Sequence, residues 1–362
     1  MVTARQRAVF GAGAAFTFVE VLVSVSIMLV IVTALLTIMS QTADGTRAAR
    51  SRVDQFQQAQ RAFETLARRI EQATLNSYWN SDTVNGKVLP YQRMSELRFI
   101  CGPMQCGASP LDAAKAAMRP GHGVFFQATS GQPGADRDPA VLGLGSLMNS
   151  WGYFIEAGTD GTGLPPFLAG RTDMVLVAPR LMELCEPSKR LSIYGFTSGV
   201  PDYTGFEWFR TPLADRTLQR TVAANIAVLL VQPKLTAQES ERLLPYGTVE
   251  DRDALLAPEL FYHSGAALPI GTPAERNMRH RMPAMVELTM VALDSATVRR
   301  LYSSAELDPL KLRDAFHNAG TLRAELQGAS TASQGDSLER RLIARHANYR
   351  IFAATVPIRS AQ

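Results

Sequence analysis

A single carboxylate, Glu20, stands inside an apolar run that reaches from Phe16 to Met39. A charged side chain at mid-bilayer costs roughly 2.5–3.5 kcal/mol on insertion scales, less near the interface, and usually marks a function. One chemistry accounts for it. If the chain is cut just before Phe16, a new α-amino group forms there and Glu20 becomes the fifth residue. A positive amine and a carboxylate so spaced can neutralise each other, within one helix or between neighbouring chains.

The other groups capable of chemistry are sparser. Cys101 and Cys106, in CGPMQC, could close a tight disulfide-bonded loop in an oxidising compartment, and unpaired thiols are the alternative. No histidine falls at ligand spacing from that pair, so no metal site is expected. His122, His263, His280, His317 and His346 are scattered without i,i+4 pairing and are expected at the surface or satisfied by hydrogen bonds. GTDGTG (158–163) and EDRD (250–253) carry oxygen ligands of the kind calcium takes. They lack the alternating aspartates of a dedicated loop, so solvated turns and no cofactor are the expectation. No G-x-S-x-G, P-loop or H-E-x-x-H motif occurs, and no enzyme activity is expected. Tyr78, Trp79, Trp151 and Trp208 could form a partner surface, with core packing expected for most.

Three devices could position Glu20. A cleaved secretory signal needs small residues after a short apolar core, whereas GAGAA here comes before a long one. A plain membrane anchor is long enough: Phe16–Met39 at ~1.5 Å per residue exceeds a ~30 Å hydrocarbon core. Arg5 and Arg7 hold the N-terminus in the cytoplasm and place the rest of the chain outside. A plain anchor leaves Glu20 unexplained; cleavage before Phe16 does not. Those two arginines also supply half of the net charge of +4, and no basic block with interleaved aromatics follows, so nucleic-acid binding is unsupported.

AAFTFVEVLVSVSIML resembles the class III signal of type IV prepilins and type II secretion pseudopilins. The resemblance implies cleavage by prepilin peptidase between Ala15 and Phe16, N-methylation of Phe16, and assembly through Thr17 and Glu20 at the second and fifth mature positions. The family strongly prefers glycine where Ala15 stands. It also implies other pilin or pseudopilin subunits and an inner-membrane assembly platform as partners.

Beyond the apolar run, Phe56, Phe63 and Ile70 recur every seven residues with Ala59, Leu66 and Ala73 between them, an apolar helical stripe. Gly45 is an expected bend, and LNSYWNSD is expected to end the helix near Asn76. Strands are expected in SELRFIC (95–101), GVFFQA (123–128), YFIEAG (153–158) and DMVLVA (173–178), with an Asn-Gly turn at 85–86. LMELCEPSKRL is undecided between strand and helix. AANIAVLLVQPKL reads as a buried strand that a helix could precede, and RMPAMVELTMVALD as an alternating strand. Residues 295–327 and SLERRLIARHA read as helical, and YRIFAATVPI as a last strand.

The order NIAVLLVQPKL, MPAMVELTMVALD, YRIFAATVPI resembles the carboxy-terminal half of J-type minor pseudopilins. ATLNSYWNSD, SELRFICG, GHGVFFQA, LMELCEP and LTMVALD together resemble the Verru_Chthon cassette protein C family, whose members are prepilin-like. The expected fold is α+β and pilin-like: a long N-terminal transmembrane and stalk helix packed on an antiparallel sheet body, with further C-terminal helices. Expected divisions are a cytoplasmic leader (1–15), a transmembrane helix (16–39), an extracytoplasmic stalk (40–76) and a globular body (77–362). The expected role is a minor structural subunit of a type IV pilus or type II secretion-like filament, held single-pass in the inner membrane with a periplasmic body until assembly. A monomeric, membrane-anchored binding protein is the alternative, followed by an anchored enzyme and a DNA-uptake pilin.

Overall fold

A computed structural model describes residues 17–84, 87–104, 111, 119–129, 147–159, 177–197, 200–201, 205–266, 279–303, 306–313, 315–328 and 337–361. The fold is α+β, with a long apolar N-terminal helix and antiparallel sheets. Helix α1 spans Phe18–Glu71 and runs unbroken through Gly45. The chain divides at Asp54/Gln55 into two compact units, so the division falls inside this helix.

The first unit is the helix as far as Asp54, where every described side chain is exposed. Its stretch to Met39 is apolar on nearly all sides without protein cover among the described residues, which suits it to lipid. It is the one helix among the described residues long and apolar enough to cross a membrane. Its hydroxyl residues are satisfied internally: Ser24 Oγ donates to the Glu20 carbonyl at 2.7 Å, and Thr33 Oγ1 to the Leu29 carbonyl at 2.7 Å. Polar groups that bond to the preceding turn demand no water.

The second unit, Gln55–Gln362, buries the predicted helical stripe: Ala59, Phe63, Leu66, Ile70 and Ala73 are all in its core, with Phe56 half-buried. The helix stops at Glu71, earlier than Asn76, because the chain is captured by the sheet. Ala73 bridges to Ala128, and Asn76 Oδ1 accepts from the Glu96 and Leu97 amides at 3.1 and 3.0 Å.

Strands β1 (Tyr78–Val84) and β2 (Lys87–Met94) form a hairpin, with Val84 opposite Lys87 across the predicted turn, whose two residues lie outside those described. Then come β3 (Ile100–Pro103), β4 (His122–Ala128), β5 (Asn149–Thr159), β6 (Val177–Glu186), the short pair β7 (Phe196–Thr197) and β8 (Val200–Pro201), and helix α2 (Glu207–Ala214). Strands β9 (Gln219–Ala224) and β10 (Ile226–Lys234) precede helices α3 (Ala237–Leu243) and α4 (Val249–Ala254) and strand β11 (Tyr262–His263). The chain continues with β12 (Met285–Leu293), helices α5 (Ser295–Leu301), α6 (Leu322–Gln327) and α7 (Leu338–Ala344), and strand β13 (Tyr349–Pro357).

Two antiparallel sheets dominate: six strands in the order β11-β3-β4-β5-β6-β9, and three in the order β10-β12-β13. One core cluster lies between them and takes in the α1 stripe; Phe63 meets Phe352 of β13 at 6.0 Å. The far face of the larger sheet packs Phe125 and Phe154 against Trp208 and Phe209 of α2. The far face of the smaller sheet packs Val228, Leu230, Val291 and Leu293 against residues of α5, α6 and α7. Strand β10 is therefore buried on both faces, as its continuous IAVLLV run requires. Pro233 fits because β10 pairs only with β12, leaving no ladder partner for a missing N–H on its other side. Before β4, Gly121 has φ +78° and a Cβ there would stand 2.7 Å from the Leu229 carbonyl of β10. Only glycine allows the two sheets to approach so closely at that point.

Several sequence expectations change here. Ser95–Phe99 is not a strand; Leu97 enters the core cluster beside α2 while Phe99 and Cys101 enter the cluster beneath α1. LMELCE is strand, and the residues before β10 form β9 rather than helix. EDRD is not a turn: it lies in α4, whose N-terminus is closed by a Thr248–Asp251 capping box. Among the described residues of 295–327, only those at the ends are helical, in α5 and α6.

Candidate functional site

Thr17 and Glu20 open helix α1 together. The Glu20 amide donates to the Thr17 hydroxyl at 3.3 Å and to the Thr17 carbonyl at 3.0 Å. Thr-Phe-Val-Glu is thus a helix-start pattern, with threonine at the N-cap and glutamate three residues on. That helix-start signal is legible in the sequence. A carboxylate in the first helical turn is also favoured by the partial positive charge of the exposed amides. Ala15 and Phe16 lie outside the described residues, so the geometry at the predicted cut is not described.

Cys101 is a buried, free thiol in β3, facing the core beneath α1; Cys106 lies outside the described residues. Burial raises the Cys101 thiol far above its ordinary range and pushes that of Cys185, which also faces Glu183, up to about 12. Neither is poised as a nucleophile. Of the calcium candidates, residues 160–163 lie outside the described residues. Asp253, in the other stretch, accepts from Lys234 Nζ at 2.9 Å. No group of three metal-ligating side chains occurs among the described residues.

The aromatic candidates divide evenly. Trp151 and Trp208 are fully buried, whereas Tyr78 and Trp79 of β1 are exposed, and the Arg93 guanidinium of β2 stands 5.7 Å from the Trp79 ring centre.

Sequence reasoning missed a charged cluster where α1 meets the large sheet. Glu183 of β6, with no exposed surface, faces Arg69 of α1 at 3.1 Å and Arg220 of β9 at 2.5 Å. Tyr153 of β5 donates its phenol proton to Glu183 at 2.6 Å. The Arg69 guanidinium also stacks over Trp151, 3.5 Å from the ring centre. Burial, then the neighbouring Glu183 charge, holds the Tyr153 phenol well above its usual pKa. The cluster fixes α1 against the sheet and supplies no reactive group.

His122 is a further buried titratable group. Its Nδ1 accepts from the Val231 amide at 3.0 Å and its Nε2 donates to the Phe316 carbonyl at 2.8 Å, which joins β4 to β10 and to the chain before α6. Burial disfavours the imidazolium and pulls the pKa down to about 4. The neutral ring therefore stabilises the fold fully above the unfolded value near 6.5, and this contribution is lost as pH falls from 6.5 to 4. The loss for this one group approaches about 3 kcal/mol. His122→Gln is expected to show a shallower fall in melting temperature over that pH range than the parent; identical slopes would contradict the assignment.

Comparison with protein-family models, with curated proteins and with solved structures finds no match to this chain.

Proposed function

We propose that the protein is a prepilin: a minor structural subunit of a type IV pilus or type II secretion-like filament, matured by prepilin peptidase and assembled through its N-terminal helix. The observation that carries this reading is one helix, Phe18–Glu71, with two environments written along it. Its first part is apolar and exposed all round, and its last part is the central rib of a body core. A plain anchor needs only the first of these properties. A subunit that packs by its helix needs both, the apolar part for its neighbours and the last part for its body.

The position of Glu20 supports the same reading. Cleavage after Ala15 would leave a free amine on Phe16, one residue before the Thr17 cap and four before Glu20. Amine and carboxylate would then share the first helical turn, where a neighbouring subunit's amine could substitute for the chain's own. The antiparallel order β10-β12-β13, which pairs the three stretches that resemble J-type pseudopilins, agrees with a pilin-like body. Inner-membrane residence with a periplasmic body belongs to the proposal, as do methylation of Phe16 and docking to an assembly platform.

The direct test is the mass and terminal sequence of the mature protein from membranes with and without prepilin peptidase. A chain beginning at methylated Phe16, absent without the peptidase, is the expected result. An uncleaved chain, or one cut after the apolar run, would overturn the proposal.

A further inference from the structure

The three-stranded sheet carries a cleft that the filament reading does not use. On the face that bears Val228 and Val291, but towards the other end of the strands, β10, β12 and β13 form a floor between α4 and α6. Gln232 and Glu287 sit directly opposite each other on this floor, as do Thr289 and Ala353. The enclosed volume is about 310 Å³, at the small end of ligand-binding clefts.

Its charges are arranged in two groups. Lys234 is set in the floor between Asp253 of α4 and Glu287 of β12, both in ion-pair contact with its ammonium. Burial alone would lower the Lys234 pKa, but the two carboxylates outweigh it and hold it above its usual value. The ammonium has three donors, and these two contacts leave one for another acceptor. Glu250 lies three residues from Asp253 on α4, so both carboxylates share a helix face. Arg323, on α6, also lines the cleft. Glu250 and Arg323 are both exposed, and neither has an ion pair or side-chain hydrogen bond among the described residues. Leu322 and Leu326 of α6 and Ile351 of β13 add apolar surface to the lining. Ile351 is among the exposed large hydrophobic side chains of the body.

An unspent carboxylate and an unspent guanidinium lining one cleft, with apolar side chains beside them, match one kind of ligand. We propose that this cleft binds a small zwitterion the size of a dipeptide, with its ammonium at Glu250, its carboxylate at Arg323 and an apolar side chain against Ile351. Such binding is independent of whether the chain polymerises. The bidentate geometry of a guanidinium suits a carboxylate, and a polar floor of Gln232 and Thr289 suits a peptide bond.

The test is calorimetric titration of the dipeptide Ala-Leu into the full-length protein in detergent micelles. Saturable binding at one site is expected, with Glu250→Gln and Arg323→Gln each weakening it at least about tenfold. Both residues are exposed, so neither change should disturb folding, which thermal unfolding of each variant would verify. N-acetyl-Ala-Leu amide, which lacks both charges, should bind at least about tenfold more weakly than the free dipeptide. No saturation by the wild type at about 10 mM ligand would overturn the proposal. So would equal binding of the doubly blocked peptide, or variants that bind like the wild type. Equal binding of a peptide blocked at one end only would mean that the cleft captures a protein chain end, and the zwitterion proposal would fall.

Discussion

Glu183→Ala is expected to lower the unfolding free energy of the body by about 3–5 kcal/mol, the range seen when one partner of a buried ion pair is removed. Glu183 has no exposed surface and is shared by Arg69, Arg220 and Tyr153. Its loss would leave two guanidinium groups facing a cavity with no counter-charge between them. Arg220 is half exposed and can turn to water, but Arg69 is held beneath the sheet over Trp151. At roughly 2 °C per kcal/mol for a domain of this size, the melting temperature should fall by about 6–10 °C. Tryptophan emission would follow it, since Trp151 touches the cluster. Replacing Arg69 and Glu183 together by Met and Leu should recover most of the loss, because a well-packed apolar pair also removes the stranded charge. A fall under about 2 °C for Glu183→Ala would show that the cluster does not hold α1 to the sheet.

Glu20→Ala is the second change with a large expected effect, and it acts on assembly rather than stability. Glu20 is exposed and its side chain makes no contact within the described chain, so the body should melt as the parent does. Membrane insertion should be unimpaired, since removing a carboxylate from an apolar helix relieves a cost of a few kcal/mol. Recovery of the protein in sheared filaments should drop at least about tenfold, equivalent to about 1.4 kcal/mol lost per subunit contact. Glu20→Gln should behave like alanine if charge neutralisation is the role. Wild-type recovery of either variant would reduce Glu20 to the acidic residue of a helix start, which its place in the first turn allows.

The sequence alone reached far along α1. Its lipid-length apolar part and its seven-residue stripe are periodic and local, so Ala59, Phe63, Leu66 and Ile70 could be placed in a core before any tertiary contact was known. The same holds for β10, β12 and β13, where a continuous apolar run marks a strand buried on both faces and alternation marks a strand with one less buried face. Local pattern failed at Ser95–Phe99, which is β-prone in composition. There the amides of 96, 97 and 98 are taken by the side chains of Asn76 and Gln127, not by a neighbouring strand.

Glu20 and its cap are a matter of sequence, since Thr17 and Glu20 meet through a single helical turn. The buried cluster is not. Arg69, Tyr153, Glu183 and Arg220 come from one helix and three strands, and nothing in their separate neighbourhoods marks them as partners. The cleft is likewise a product of folding alone: Glu250 and Arg323 line one cleft only because β10, β12 and β13 pair in one sheet beside α4 and α6. Periodicity records which face of an element is buried, but the choice of which buried faces meet is made by long-range pairing, and that choice sets where unspent charge is left.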